Sequence, residues 1–218
     1  MRFFLVATAC LLALTGCGAS DQEPAAKRNT HAISQAPSTK AGTPTPRQSP
    51  ASAPASRWGV VGVVHDDQLN VRSRPDASAP VLARLSPTAT SVEVTTRRQG
   101  DWRQVKVDGQ TGWAHGRYLA QFGEPADATQ EARAAGIAPT RAEVVRVVAR
   151  RMGGEGSKVT TATTGRKPVV DVLGVEDDSL LGTRLRLVIV PGEAGFEVRR
   201  ATAQPICARG VTAQGQCR

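Results

Sequence analysis

The chain has 218 residues, of which 40% are hydrophobic and only 4% aromatic, with 21 Gly and 14 Pro. This composition excludes an all-helical bundle and a multi-span membrane protein, and it requires part of the chain to lie outside any packed core. The formal net charge of +9 is spread along the sequence rather than gathered into a basic stripe interleaved with aromatics, which argues against a nucleic-acid partner.

Arg2 precedes an apolar run from Phe3 to Leu14. A dozen residues rise about 18 Å as a helix, too short for a bilayer that needs ~20 residues, so residues 1–16 are predicted to be a secretory signal. The run ends in Leu14-Thr15-Gly16-Cys17, which resembles the lipobox of bacterial lipoproteins. The resemblance implies that Cys17 receives a diacylglycerol and holds the mature chain to the bilayer at its exported face, in the cell envelope. Buried acyl chains contribute about 0.8 kcal/mol per methylene, so two or three chains anchor durably. Of the remaining cysteines, Cys10 leaves with the signal, and an even pair, Cys207 and Cys217, is expected to form a disulfide in an exported protein. A redox thiol would call for Cys-x-x-Cys or a neighbouring His, and neither is present.

Residues 17–57 hold six Pro and a single branched aliphatic residue, Ile33. They are predicted to be a disordered tether because they lack the apolar surface to offset ordering entropy. Such a segment spans about 35 Å as a coil and at most ~140 Å stretched. His31 lies in it as a solvated bystander.

Residues 58–122 read as short strands, predicted at 59–64, 69–72, 81–85, 91–98, 102–107 and 111–114, with Asp108-Gly109 as a hairpin turn. Leu69-Asn70-Val71-Arg72-Ser73-Arg74-Pro75, Val81-Leu82-Ala83-Arg84-Leu85, Asp101-Trp102-Arg103-Gln104-Val105, Gly109-Gln110-Thr111-Gly112-Trp113-Ala114 and Tyr118-Leu119 together resemble a bacterial SH3-like domain. The segment departs from that pattern at 86–90, where Ala89 stands in place of a common glycine. The resemblance implies a small β-barrel that binds peptidoglycan or another wall polymer without catalysis. By size, Trp102 and Trp113 are expected to fill the barrel core. Trp58 and Tyr118, at its ends, are the candidate sugar-stacking rings, and Arg72, Arg74 and Arg103 the candidate partners for ligand carboxylates. A fragment of residues 58–122 is expected to keep its own fold.

A connector at 123–137, with a short helix before Gly136, leads to residues 138–218, predicted to be a small α+β domain. Thr140-Arg141-Ala142-Glu143 has the form of a capping box opening a helix to Met152, with Val144, Val148 and Met152 at four-residue spacing and Val145 and Ala149 alongside on its apolar face. Strands are predicted at 158–164, 168–175, 183–190 and 195–204, with a hairpin loop at 191–195 and a hydrophilic turn at Glu176-Asp177-Asp178. The fold expected overall is therefore mostly β, a helix-on-sheet module following an SH3-like barrel.

Enzymatic function is not expected. No His follows His115 to serve a nucleophilic Cys, the folded part has only His65 and His115 for a zinc site, and no Gly-x-Ser-x-Gly or phosphate loop occurs. No metal or cofactor is expected. The partners implied are a wall polymer and the bilayer, with an envelope protein docking on residues 138–218 as the alternative: a scaffold or inhibitor.

Overall fold

The computed structural model describes residues 57–174 and 178–218, which lie in one compact unit. The predicted signal, the tether, Cys17, His31 and Glu176-Asp177 lie outside the described residues. Among the described residues no helix is long and apolar enough to cross a membrane.

The elements in chain order are β1 (Trp58–Val60), β2 (Leu69–Arg72), β3 (Val81–Leu85), β4 (Glu93–Gln99), β5 (Trp102–Val107), β6 (Gln110–His115), a 3-10 turn (Gly116–Tyr118) and β7 (Leu119–Phe122). Then follow β8 (Ala126–Asp127), α1 (Thr129–Arg133), α2 (Arg141–Gly153), β9 (Lys158–Thr163), β10 (Val169–Leu173), β11 (Leu180–Gly192) and β12 (Gly195–Cys207). The fold is mostly β with antiparallel sheets. Strands β2, β3 and β5 have the bounds read from the sequence, each a short run rich in apolar residues between turn residues. Asp108 and Gly109 both take positive φ, 50° and 78°, the turn that matches strand twist between β5 and β6. The turn at 86–90 closes with Ala89 in it, its N–H donating to Ser86 O at 3.0 Å.

Helix α2 begins at Thr140, whose hydroxyl accepts from Glu143 N–H at 3.2 Å. The Glu143 carboxylate accepts in turn from that hydroxyl at 3.0 Å, a closed pair in which the glutamate meets the side chain rather than the backbone N–H. Val144, Val145, Val148 and Ala149 are buried as the spacing requires, while Arg146 and Arg150 face solvent. They pack with α1 onto Val170, Val172, Leu185, Leu187, Ile189 and Val198 of the larger sheet.

Two features correct the expected architecture. First, the barrel at 58–122 is not closed. Five strands form an open sheet in the order β3-β2-β6-β5-β4, whereas β1 and β7 belong to a seven-stranded sheet in the order β1-β7-β12-β11-β10-β9, with β8 beside β12. Second, β11 and β12 run 13 residues each and pair as far as Gly192↔Gly195, leaving only Glu193-Ala194 as the turn where a five-residue loop was predicted.

The larger sheet is covered on one face by the helices, and part of its other face carries the segment after β1. There Arg184 and Asp171 are fully buried and paired in a fork, Nε to Oδ1 at 2.7 Å and Nη2 to Oδ2 at 2.8 Å. Gly62 N–H donates to Asp171 Oδ2 at 2.9 Å, Arg184 Nη2 donates to Val60 O at 2.5 Å, and His65 N–H donates to Thr161 O at 3.0 Å. Val61, Ala120 and Phe122 are buried against Ile206 and Leu173. The SH3-like segment and the α+β segment therefore share a sheet and an apolar cluster, and the buried Arg184–Asp171 pair of the latter is hydrogen-bonded to the backbone of the former, which removes the basis for treating 58–122 as self-sufficient.

Candidate functional site

Side chains alternate across a strand, and the five-stranded sheet shows it in its burial. Val105 and Val107 of β5, Gly112 and Ala114 of β6, and Leu69 and Val71 of β2 face inward, where Val60, Val63, Val92 and Leu119 complete an aliphatic core. Trp102 and Gln104 on β5, Trp113 and His115 on β6, and Arg72 on β2 take the intervening positions and are partly exposed on the outer face. Trp113 stands opposite Gln104 on one side and Arg72 on the other, and Trp102 stands opposite His115. The core expected of Trp102 and Trp113 is thus filled by valine, leucine and alanine, and both rings lie outside it.

The outer face is aromatic at one end. The Trp102 and His115 ring centroids are 5.4 Å apart and tilted, and the His115 and Tyr118 centroids 6.1 Å apart edge to face. The 3-10 turn that carries Tyr118 is fixed by Gly116 N–H donating to Asp101 O at 2.6 Å. Arg117 lies 4.5 Å from the Tyr118 ring centroid and donates to its hydroxyl at 2.5 Å. The result is a row of partly exposed rings bordered by guanidinium groups, a surface that can stack on the apolar face of a sugar and hydrogen-bond its hydroxyls.

The five ligand-binding candidates from the sequence do not converge. Tyr118 joins the aromatic row while its ring also covers the end of the aliphatic core. Arg72 sits beside Trp113, with its Nη1 donating to Ala79 O at 2.6 Å. Arg74 is exposed on the loop that follows, where Asp76 accepts from Ser78 N–H at 2.8 Å and Ser78 Oγ at 2.9 Å. Those two bonds, helped by Arg74 and Arg72, hold the Asp76 carboxyl below its ordinary pKa. Trp58 and Arg103 lie on the inner side: Trp58 packs on the core, and the Arg103 guanidinium sits 4.9 Å from its ring centroid. Ring size points Trp102 and Trp113 to the core and gives no signal for His115, whereas strand parity places all three on the outer face. Trp102 is three residues from Val105 and Trp113 one from Ala114, an odd separation that puts each on the opposite face.

The Cys207–Cys217 disulfide is formed, with Cα atoms 5.1 Å apart, and closes the tail after β12. No curated protein and no solved structure matches the chain. Residues 67–120, which contain the whole five-stranded sheet, match the family model of the bacterial SH3 domain, so the segment that builds the aromatic face is similar to a module that binds cell-wall polymer or protein.

Proposed function

We propose that this chain is a non-catalytic protein of the cell envelope, anchored to the bilayer through acylated Cys17, whose outer aromatic face binds peptidoglycan or another wall polymer. The observation that carries this reading is the row Trp102, His115 and Tyr118, flanked by Trp113 and Arg72, on the segment similar to a bacterial SH3 domain. Partly exposed tryptophans on a sheet face spend apolar surface on solvent unless a ligand covers them. The apolar run ending in Leu14-Thr15-Gly16-Cys17 supports the anchor.

Retention of the chain on purified peptidoglycan tests the binding. Trp102→Ala and Trp113→Ala are expected to lower retention about fivefold or more while costing only about 1–2 kcal/mol of stability, because the rings are half-buried. Added salt should weaken binding through Arg72, since exposed charges are screened beyond ~8 Å at physiological ionic strength. Wild-type retention by both Trp variants, or none by the parent chain, refutes the reading. The anchor is checked separately: Cys17→Ser should move the protein from the membrane to the aqueous fraction, and a variant that stays membrane-bound argues against acylation.

A further inference from the structure

The disulfide-closed tail is folded back on the larger sheet and builds a wall of its own. Val211 N–H donates to the Gln121 side-chain oxygen at 2.9 Å, Glu124 N–H donates to Gly215 O at 2.8 Å, and Arg218 N–H donates to Gly210 O at 3.0 Å. Gly210 passes over the same Gln121 oxygen at φ 110°, a conformation that L side chains rarely adopt. The tail so placed faces Trp58 and Arg103 across a cleft of about 560 Å³, with Leu181 as a further apolar contact. Among the described residues three arginines line this cleft, Arg103, Arg209 and Arg218, and no Asp or Glu side chain does.

We propose that the cleft binds a small ligand bearing a carboxylate, of tripeptide or disaccharide size, and that the site depends on the Cys207–Cys217 crosslink. Guanidinium forks match a carboxylate in two parallel hydrogen bonds. Arg103 is held against the Trp58 ring, so less side-chain freedom is lost when it engages a ligand. Arg209 reaches Asp178 at 2.6 Å, but both side chains are largely exposed, and such a pair yields readily to a better-enclosed anion. Trp58 and Leu181 offer apolar surface to the remainder of the ligand, and the volume lies in the range of small-molecule sites. Arg103 projects from the inner side of β5 and Trp102 from the outer, so one small molecule cannot bridge them, and the cleft is a second site, independent of wall binding. The crosslink matters because residues 208–216 supply Arg209, Gly210 and Val211 to the wall, and opening the loop frees them.

Calorimetric titration of the full chain with acetyl-trialanine as the free acid, its C-terminal amide, and a glucuronate disaccharide tests the proposal. At least one carboxylate probe is expected to bind, and whichever does so identifies peptide or sugar acid as the source. The matched amide, or the disaccharide methyl ester, should bind about tenfold more weakly. Arg103→Gln and Arg209→Gln should each weaken the acid about fivefold or more and leave retention on peptidoglycan unchanged. The Cys207→Ser/Cys217→Ser chain should lose probe binding while keeping a cooperative melt; if it does not fold, the arginine variants decide. Absence of binding by every carboxylate probe at about 10 mM, equal binding of acid and neutral forms, or unaltered affinity in both arginine variants overturns it. Loss of peptidoglycan retention with probe binding intact would instead refute the wall-binding reading alone.

Discussion

At the scale of single residues, the loop after β2 shows how a surface carboxylate organises its surroundings. Asp76 takes both Ser78 donors, and Arg72 Nη1 fastens the far side of the loop at Ala79 O. Because the folded state lowers the Asp76 pKa, its contribution is present above the ordinary aspartate range and is lost as pH falls through the depressed value. The Ser78 amide signal is therefore expected to titrate with a midpoint below that of a free aspartate, and a midpoint at or above the free value would show that the hydrogen bonds do not form in solution. The same carboxylate chemistry recurs at Asp127, whose bonds from Thr129 lower its pKa at the start of α1.

At the scale of elements, α2 shows a local cap and tertiary packing acting together. Its β-branched valines favour strands, yet the Thr140–Glu143 cap and the spacing of Val144, Val148 and their neighbours override that preference by burial against β10, β11 and β12. Thr140→Ala removes the acceptor for Glu143 N–H and should cost about 1 kcal/mol, read as a lower denaturation midpoint with an unchanged slope. A midpoint equal to the parent would mean that packing alone sets the helix start. The disulfide acts at this scale too: it closes a short loop, about 2–3 kcal/mol in the chain-entropy view, and its larger effect is to give the tail a fixed shape against Gln121.

At the scale of the whole molecule, the Arg184–Asp171 fork ties β11 and β10 to the backbone at Val60 and Gly62, with the Phe122 ring 4.7 Å from the guanidinium. Arg184→Met leaves the Asp171 carboxylate buried without its counter-charge and should destabilise the entire unit by about 3–5 kcal/mol, the SH3-like segment included. Melting followed at Trp102 and at the α2 helix signal should shift together; a shift confined to the helix signal would show two independent domains. For the same reason a fragment of residues 58–122, which strips Ile206 and Leu173 from Val61, Ala120 and Phe122, should melt below the intact unit, and an equal melting temperature would restore its independence. What the sequence by itself determined was local: strands β2, β3 and β5, the Asp108-Gly109 turn, the cap of α2, the likeness of 67–120 to a bacterial SH3 domain, and the pairing of the last two cysteines. Period, turn stereochemistry and capping are properties of neighbouring residues, so they are legible in order along the chain. The larger sheet was not, because β7↔β12 pairing joins residues some 85 positions apart, and the charged Arg184 and Asp171 become buried only when the segment after β1 closes over them. The placement of Trp58 and Arg103 opposite the disulfide tail belongs to the same class: it follows from how β1, β7 and β12 are joined, which only the tertiary structure decides.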